Sequence, residues 1–270
     1  MSTGEQGVIL KDLAIVLRVA PVSNTSRMVQ WYTQAHGKIA TLIKGAQRPK
    51  SAFLGQLDLF YTCELLFYAR ERNHIHIARE CAPLERRDRF RTDWRAAAAA
   101  SYCADVVARL TLPDAPQPAL FRLLEITLDD FAASGAAEAV VYWFELKLFT
   151  ALGVQPRLDV CLDCGTPLLP AARPPALALA RGGLVCAACT ARGVAGEPFA
   201  AEVLAMLAGW QTANNPRAAR RTHCAPRQLG AMDALLSRFL QTHLDLLPAS
   251  RAIALGLLRR PAAKTEDAKK

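Results

Sequence analysis

Four cysteines are spaced for one task. Cys161-Leu162-Asp163-Cys164 is answered about twenty residues later by Cys186-Ala187-Ala188-Cys189, two Cys-x-x-Cys pairs at a separation that suits a single ion. Each pair fits a tight turn that aims both sulfurs at one point. Four thiolates close a tetrahedron at about 2.3 Å from the metal, and such soft ligands select zinc over the harder cations. Gly182-Gly183, just ahead of the second pair, give the backbone the freedom a sharp turn needs. Buried thiols and a pair of disulfides are the competing readings. A four-thiolate site leaves no position open for water or substrate, so its metal is structural and names no reaction.

Catalytic chemistry finds little support elsewhere. The chain has no GxxxxGK[ST] phosphate loop, no GxSxG elbow and no HExxH helix. Asp129-Asp130 fall within a helical pattern and are expected as surface charges, not a nuclease site. An enzyme is disfavoured.

The 270 residues suffice for one or two domains with a real core, and 52% hydrophobic with 21% charged residues is ordinary for a soluble globular chain. No run reaches the eighteen or so apolar residues of a membrane span, and Met1-Ser2-Thr3-Gly4-Glu5-Gln6 has no basic lead into an apolar stretch. A cytoplasmic protein without membrane contact is expected. That compartment keeps thiols reduced, which favours metal over disulfide. Cys63, Cys81, Cys103 and Cys224 stand singly and read as small buried hydrophobes. The net charge of +9 and a pI near 9.4 point to a polyanionic partner, or to solvated lysines.

The elements that must carry these residues fall into two blocks, residues 1–82 and 83–258, followed by a polar tail at 259–270 expected to be disordered. In the first block the period is near two. Strands are predicted at 13–19, 27–33, 38–45, 57–68 and 74–81, with Gln34-Ala35-His36-Gly37 as a hairpin turn and a polar link at 69–73. Five short strands with no long helix between them suggest a closed barrel, with the OB-fold as the leading candidate and an α+β class for the whole chain.

Charge gathers after the third strand, where Lys44, Arg48 and Lys50 lie in Lys-Gly-Ala-Gln-Arg-Pro-Lys-Ser without an acidic residue among them. Arg18, Arg27 and Lys38 are expected nearby. An OB barrel holds single strands with such a groove plus aromatic platforms. Trp31, Phe53, Phe60, Tyr61 and Phe67 are the candidates, although a small barrel fills its interior with such rings and most are expected in the core. His36, His74 and His76 are read as turn or strand residues.

From residue 84 the period is helical. The run Arg86-Arg87-Asp88-Arg89-Phe90-Arg91 is either a solvated face or a backbone-contacting patch, and it leads into an alanine-rich helix reaching residue 110. Helices follow at 118–134 and 136–152, stopped by Gly135 and Gly153. The second of these is apolar around its circumference from Val140 to Phe149 and must sit at the centre of a bundle or under another surface. The cysteine segment, at about 158–194, interrupts the helices. Its prolines, Pro167, Pro170, Pro174 and Pro175, predict loops and short strands. Helices resume at 198–210 and, after a basic connector at 214–221, at 226–247.

Taken together, these pieces resemble the RecO family of bacterial DNA repair and recombination proteins. The resemblance rests on Ala14-Ile15-Val16-Leu17-Arg18, His36-Gly37-Lys38 followed by Lys44-Gly45-Ala46-Gln47-Arg48-Pro49-Lys50-Ser51, Phe144-Glu145-Leu146-Lys147-Leu148 with Leu152-Gly153, and the two Cys-x-x-Cys pairs in that order. It implies an OB-fold, one structural zinc on Cys161, Cys164, Cys186 and Cys189, and DNA contacts from the basic loop. It also implies single- and double-stranded DNA as ligands, strand annealing, RecR and the C-terminal tail of single-strand-binding protein as partners, and loading of the RecA recombinase. Where many relatives carry Gly-Glu-Ser-Asp after the first strand, this chain has Ser23-Asn24-Thr25-Ser26; where relatives place basic residues ahead of Phe144, it has Tyr142-Trp143. Lys147 or Arg157 would then serve the acidic tail. The alternative reading is an adaptor whose helices bind acidic partner tails with little direct DNA binding. A nucleic-acid-modifying enzyme of the zinc-ribbon kind comes third.

Overall fold

Strand β1 (Ile9–Pro21) pairs with β4 (Thr62–Tyr68) over Ile9–Ile15 and with β2 (Arg27–Thr33) over Ala14–Pro21, and this double pairing closes the N-terminal sheet on itself. With β3 (Gly37–Ile43) and β5 (Ile75–Glu85) the order is β1-β2-β3-β5-β4, and β3 and β5 run parallel. A five-stranded closed barrel of this order is OB-like, as the period-two reading expected. The computed structural model describes residues 8–70, 75–169 and 173–260. The expectations for residues 1–6, 71–74, Pro170 and 261–270 lie outside the described residues.

Alternation along the strands builds the barrel interior. In β3, Ile39, Thr41 and Ile43 point inward, and Trp31 from β2 donates its indole N–H to Thr41 Oγ1 at 2.8 Å, which satisfies both polar atoms inside the barrel. Ala14 and Val16 of β1 join this core, while Ile15 and Leu17 face the other way and join the helical core with Tyr32 and Phe60. Tyr32 stacks on Phe121 of the helical region with ring centroids 6.3 Å apart. The β2–β3 turn is pinned by Asp12, whose carboxylate accepts the amides of Ala35 (3.0 Å) and His36 (3.1 Å) and lies 2.7 Å from His36 Nδ1. Gly37 has φ 70°, and a Cβ there would lie 2.3 Å from the Ala115 carbonyl oxygen. Only glycine lets the chain at Ala115 cross the hairpin so closely.

The fourth strand is shorter than predicted. Residues 57–61 turn instead of extending, because Phe60 takes a left-handed φ of 67° to swing its ring out of the barrel and against Phe90.

Helices α1 (Trp94–Leu110), α2 (Pro118–Ser134) and α3 (Glu138–Ala151) follow. Asp93 caps α1 by accepting the Ala96 amide at 3.0 Å, and Pro118 opens α2 where no amide is needed. In the cysteine segment come β6 (Ala176–Ala178), β7 (Gly183–Val185), α4 (Ala187–Ala191) and β8 (Glu197–Pro198), the three strands forming one small sheet. Then come α5 (Ala201–Thr212), α6 (Arg217–Arg221), α7 (Pro226–Leu244) and α8 (Ala249–Arg259). Four expectations are corrected here. Glu197–Pro198 pairs in the sheet, so α5 begins later; the basic connector contains the helical turn α6; α7 ends at Leu244, where Asp245 turns left-handed (φ 48°). The last is α8, which begins beyond Pro248 and takes in Arg259, a residue expected in the tail.

Helix α3 is buried on every side, in contact with α1, α2, α5, α6, α7 and α8. At its centre Glu145 is fully buried and is met by Arg251 of α8, itself only 4% exposed, through Nε–Oε1 at 2.8 Å and Nη2–Oε2 at 3.0 Å. Tyr102 of α1 donates to the same carboxylate at 2.5 Å, and Arg251 Nη1 reaches Asp233 of α7 at 2.5 Å. One network thus ties four helices. Removing one member of a buried pair strands the other at a cost of about 3–5 kcal/mol, whereas replacing both with apolar groups is far milder. Arg251→Ala is therefore expected to lose about that much stability in urea titration, with Glu145→Leu/Arg251→Met recovering most of it. A loss below about 1 kcal/mol would show that Glu145 does not depend on this guanidinium.

Candidate metal centre and nucleic-acid interface

The four paired cysteines converge. Their Sγ atoms all lie within 4.8 Å of one another, with Cys161–Cys189 at 3.8 Å and Cys164–Cys186 at 3.7 Å. A tetrahedron with metal–sulfur distances of about 2.3 Å has edges of about 3.8 Å. The sulfurs therefore sit where four ligands of one ion would, and far beyond the roughly 2.05 Å of a disulfide bond. All eight cysteines of the chain are free thiols.

Local backbone chemistry builds each half. In the first, Cys161 N–H reaches the Thr166 carbonyl (2.8 Å) and Gly165 N–H returns to the Cys161 carbonyl (3.0 Å), a reversal that Gly165 permits at φ 72°. In the second, Cys186 stands just before α4 and Cys189 lies within it, so helical spacing turns both sulfurs the same way. The expectation that Gly182-Gly183 shape a metal-binding turn is corrected: Gly165 has that role. Gly182 ends a 3-10 turn at φ 74°, and Gly183 lacks a Cβ because the Arg157 carbonyl oxygen would lie 2.7 Å from it.

The surroundings favour thiolate. Cys161 accepts the amides of Cys186 (3.2 Å) and Asp163 (3.4 Å); burial pushes its thiol up, but the amide donors outweigh it and the net direction is down. Cys164, 3.2 Å from the Thr166 hydroxyl, is drawn to about 6 by that hydroxyl and by the Thr166 amide. Cys189 is raised, chiefly by burial. Arg192 donates to Cys189 Sγ at 2.9 Å and lies near Asp163, so a cation offsets part of the charge of four sulfurs. The residues fit a single soft dication, which would cross-link the two halves of the lobe and supply no reactive group. The lobe has no separate core: Leu158, Leu168, Leu177, Leu184 and Val185 belong to the helical core cluster.

The second site is a charge pattern. Residues 13–57 contain no Asp or Glu, yet they carry Arg18, Arg27, Lys38, Lys44, Arg48 and Lys50. In the barrel these residues fall on β1, β2, β3 and the loop that follows, while Asp58, Glu64, Glu80 and Glu85 lie on or beside β4 and β5. The loop is a series of tight turns. Arg48 N–H meets the Gly45 carbonyl (3.0 Å), Ser51 N–H the Arg48 carbonyl (2.9 Å), and Gln47 N–H the Thr25 carbonyl of the β1–β2 loop (3.0 Å). Gly45, at φ 70°, leaves room for the Arg48 side chain, whose Cδ would be 3.2 Å from a Cβ. Lys44, Arg48 and Lys50 are exposed, and none is in an ion pair among the described residues.

The other predicted cations behave differently. Arg18 is exposed on β1; Arg27 donates to the Ser23 (3.2 Å) and Ser26 (3.0 Å) carbonyls and shapes its own loop. Lys38 places its ammonium on the Ala108 (2.6 Å) and Thr111 (2.5 Å) carbonyls at the end of α1, and burial lowers its pKa. It is a joint between barrel and helices. In the arginine run at 86–91, Arg86, Arg89 and Arg91 are exposed, but three of its four arginines are engaged within the fold. Arg87 is buried and binds Asp129 (2.8 Å), the Phe60 carbonyl (2.5 Å) and Thr62 (2.9 Å); Arg89 caps α2 at the Ala132 carbonyl (2.7 Å); Arg91 reaches Asp58 and Tyr61. Asp129 is an exposed charge, as expected, and also pairs with Arg87; Asp130 is half-buried against Arg220. Trp31, Phe60, Tyr61 and Phe67 are buried; Phe53 is half-buried. His36 lies in the hairpin and His76 in β5.

One feature escaped sequence reading. A cleft of about 190 Å³ between α2 and α3 is lined by Leu123, Ile126 and Trp143, with Arg122 and Lys147 at its sides. Its residues come from two helices and, at Asn214, from the segment between α5 and α6, so no single motif announces it.

Among the described residues no helix is long and apolar enough to cross a membrane. The family models described as Recombination protein O N terminal and Recombination protein O C terminal match residues 8–87 and 91–252. A DNA repair protein RecO of Myxococcus xanthus (strain DK1622) is 30% identical over 242 residues, covering 86% of this chain and 91% of that protein. One from Anaeromyxobacter sp. (strain K) is 29% identical over 242 residues, covering 90% and 94%. One from Prosthecochloris aestuarii is 26% identical over 166 residues, covering 61% and 63%.

If the four sulfurs hold one ion, Cys161→Ser/Cys164→Ser should drop bound metal from about one per chain to none and lower the melting temperature. Elemental analysis and thermal unfolding check this. Metal content unchanged in the double variant would place the ion elsewhere.

Proposed function

The chain belongs to the RecO family of DNA repair proteins, and from that premise we propose that it is a non-enzymatic mediator of recombinational repair. In this reading it binds single- and double-stranded DNA, anneals complementary strands, and with RecR helps load RecA onto DNA coated by single-strand-binding protein. The observation that carries the proposal is the acid-free region at 13–57 with Lys44, Arg48 and Lys50 exposed and unpaired on one loop. Annealing makes and breaks no covalent bond. It requires two polyanions to approach against repulsion, and a basic surface achieves this by neutralising phosphates and releasing counterions. Base pairing between the strands then supplies the specificity. Arg18 and Arg27 extend the path along the barrel; Lys38 contributes mainly by holding α1 in place.

The proposed cofactor is one structural zinc on Cys161, Cys164, Cys186 and Cys189, and the proposed setting is the cytoplasm, associated with the nucleoid. For the acidic, apolar tail of single-strand-binding protein we propose the α2–α3 cleft. Leu123, Ile126 and Trp143 offer it an apolar floor, and Arg122 and Lys147 offer cations where this chain has Tyr142-Trp143. Burial lowers the Lys147 pKa, and its ammonium donates to the Gln211 carbonyl at 3.0 Å, so the cation is held at a fixed point beside the cleft.

Affinity for a single-stranded oligonucleotide, followed by fluorescence anisotropy, should fall steeply with salt. Arg48→Ala/Lys50→Ala should reduce the slope of log affinity against log salt by about 1.4, the share of two phosphate contacts on a single strand. An unchanged slope would move the DNA path off this loop. Separate titrations with RecR and with the acidic tail peptide test the partners. A protein that takes the peptide but no DNA at low salt is the adaptor instead.

A further inference from the structure

Every tryptophan, tyrosine and phenylalanine of the chain is buried or half-buried except one. Trp94, the first residue of α1, is 55% exposed, and the Arg95 guanidinium lies over its ring, 5.3 Å from the centroid. Asp93 fixes the start of the helix by capping it, so the indole stands on a rigid base. Along α1 the same face continues two turns, about 10 Å, to Ser101. There a cleft of about 360 Å³ opens between the helix and the barrel, lined by Ser101, Ala104 and Arg109 on one side and Arg18, Gln30 and Leu59 on the other. Asp58, Asp93 and Asp105 border this path, and each is paired, with Arg91, Arg89 and Arg109. The unpaired charge in the cleft is therefore Arg18, from the acid-free region of the barrel.

We propose that Trp94 is a base-stacking platform for single-stranded DNA, and that the strand runs from it along the α1–barrel cleft toward Arg18. The proposal rests on the DNA-binding reading above and adds the element that reading lacks, since the barrel's own rings are buried or half-buried in the two cores. A single strand offers what this surface takes: a flat base for the indole and a phosphate for Arg18. A duplex keeps its base faces stacked internally, so Trp94 confers preference for single strands. Stacking carries no net charge, and its loss leaves the counterion count alone.

The other tryptophans, Trp31, Trp143 and Trp210, are 0, 0 and 2% exposed, so the emission that acrylamide can quench belongs to Trp94. The test uses the full chain, a short oligothymidylate and a duplex, with binding followed by anisotropy and Trp94 by acrylamide quenching in the same samples. The oligothymidylate is expected to protect Trp94 by at least twofold and the duplex to leave it accessible. Trp94→Ala should weaken single-strand affinity about five- to tenfold with the salt slope and duplex affinity unchanged, and Trp94→Phe should restore most of the loss. Oligothymidylate that binds while Trp94 stays fully quenchable overturns the platform but not the DNA-binding reading. So does a Trp94→Ala variant that binds single strands as tightly as the parent. No binding by the parent protein overturns both.

Discussion

Strand β1 is buried on both faces, and the relation between barrel and helices depends on it. From Ala14 to Leu17 successive side chains alternate between two cores: Ala14 and Val16 inside the barrel, Ile15 and Leu17 against the helices. Side chains in a strand alternate strictly, so a slip of one residue would exchange the two sets and empty both cores at once. The register is therefore specified from two directions. At the end of this stretch a bulge at Leu17 lies between Val16 and Arg18, and Arg18 emerges on the surface. The strand that joins the two bodies thus also delivers a cation to the cleft between them.

A surplus of positive charge is a poor guide to binding until one asks what each cation is doing. Arg87, Arg89, Arg91, Arg220 and Lys38 are used internally, on carboxylates and on the carbonyl ends of helices, where a cation meets the negative end of the dipole. Lys44, Arg48 and Lys50 are not. Both groups look alike in composition; the four arginines of the first lie beside acids in the chain or in the fold, whereas Lys38 shares the acid-free stretch with the second group and is set apart only by the helix-end carbonyls it meets.

That difference explains what was legible in the sequence. The barrel followed from period-two alternation, the central place of α3 from its lack of a polar face, and the cysteine cluster from spacing alone, because each of these is a local signal with one physical solution. The arginine run could not be read, since its partners Asp129 and the Phe60 carbonyl are supplied by distant segments. Helix α8 lies behind Pro248 with no start signal of its own, and the fourth strand begins later than its pattern suggests because nothing in the sequence marks Phe60 as the residue that turns left-handed. Gly165 was overlooked for Gly182-Gly183, a case where glycine recurs nearby for a different reason: close backbone approach in one place, a reversal in the other.

Glu145 and Arg251 are 106 residues apart in the chain, and this has a consequence during synthesis. At about 5–20 residues per second the cation is made roughly 5–20 s after the carboxylate it neutralises. The barrel is complete once Glu85 has emerged and has no need to wait. The helical region does: until α8 arrives, the carboxylate at the centre of the largely apolar α3 lacks the guanidinium it is buried with, so the packing seen around Glu145 requires the last of the described helices.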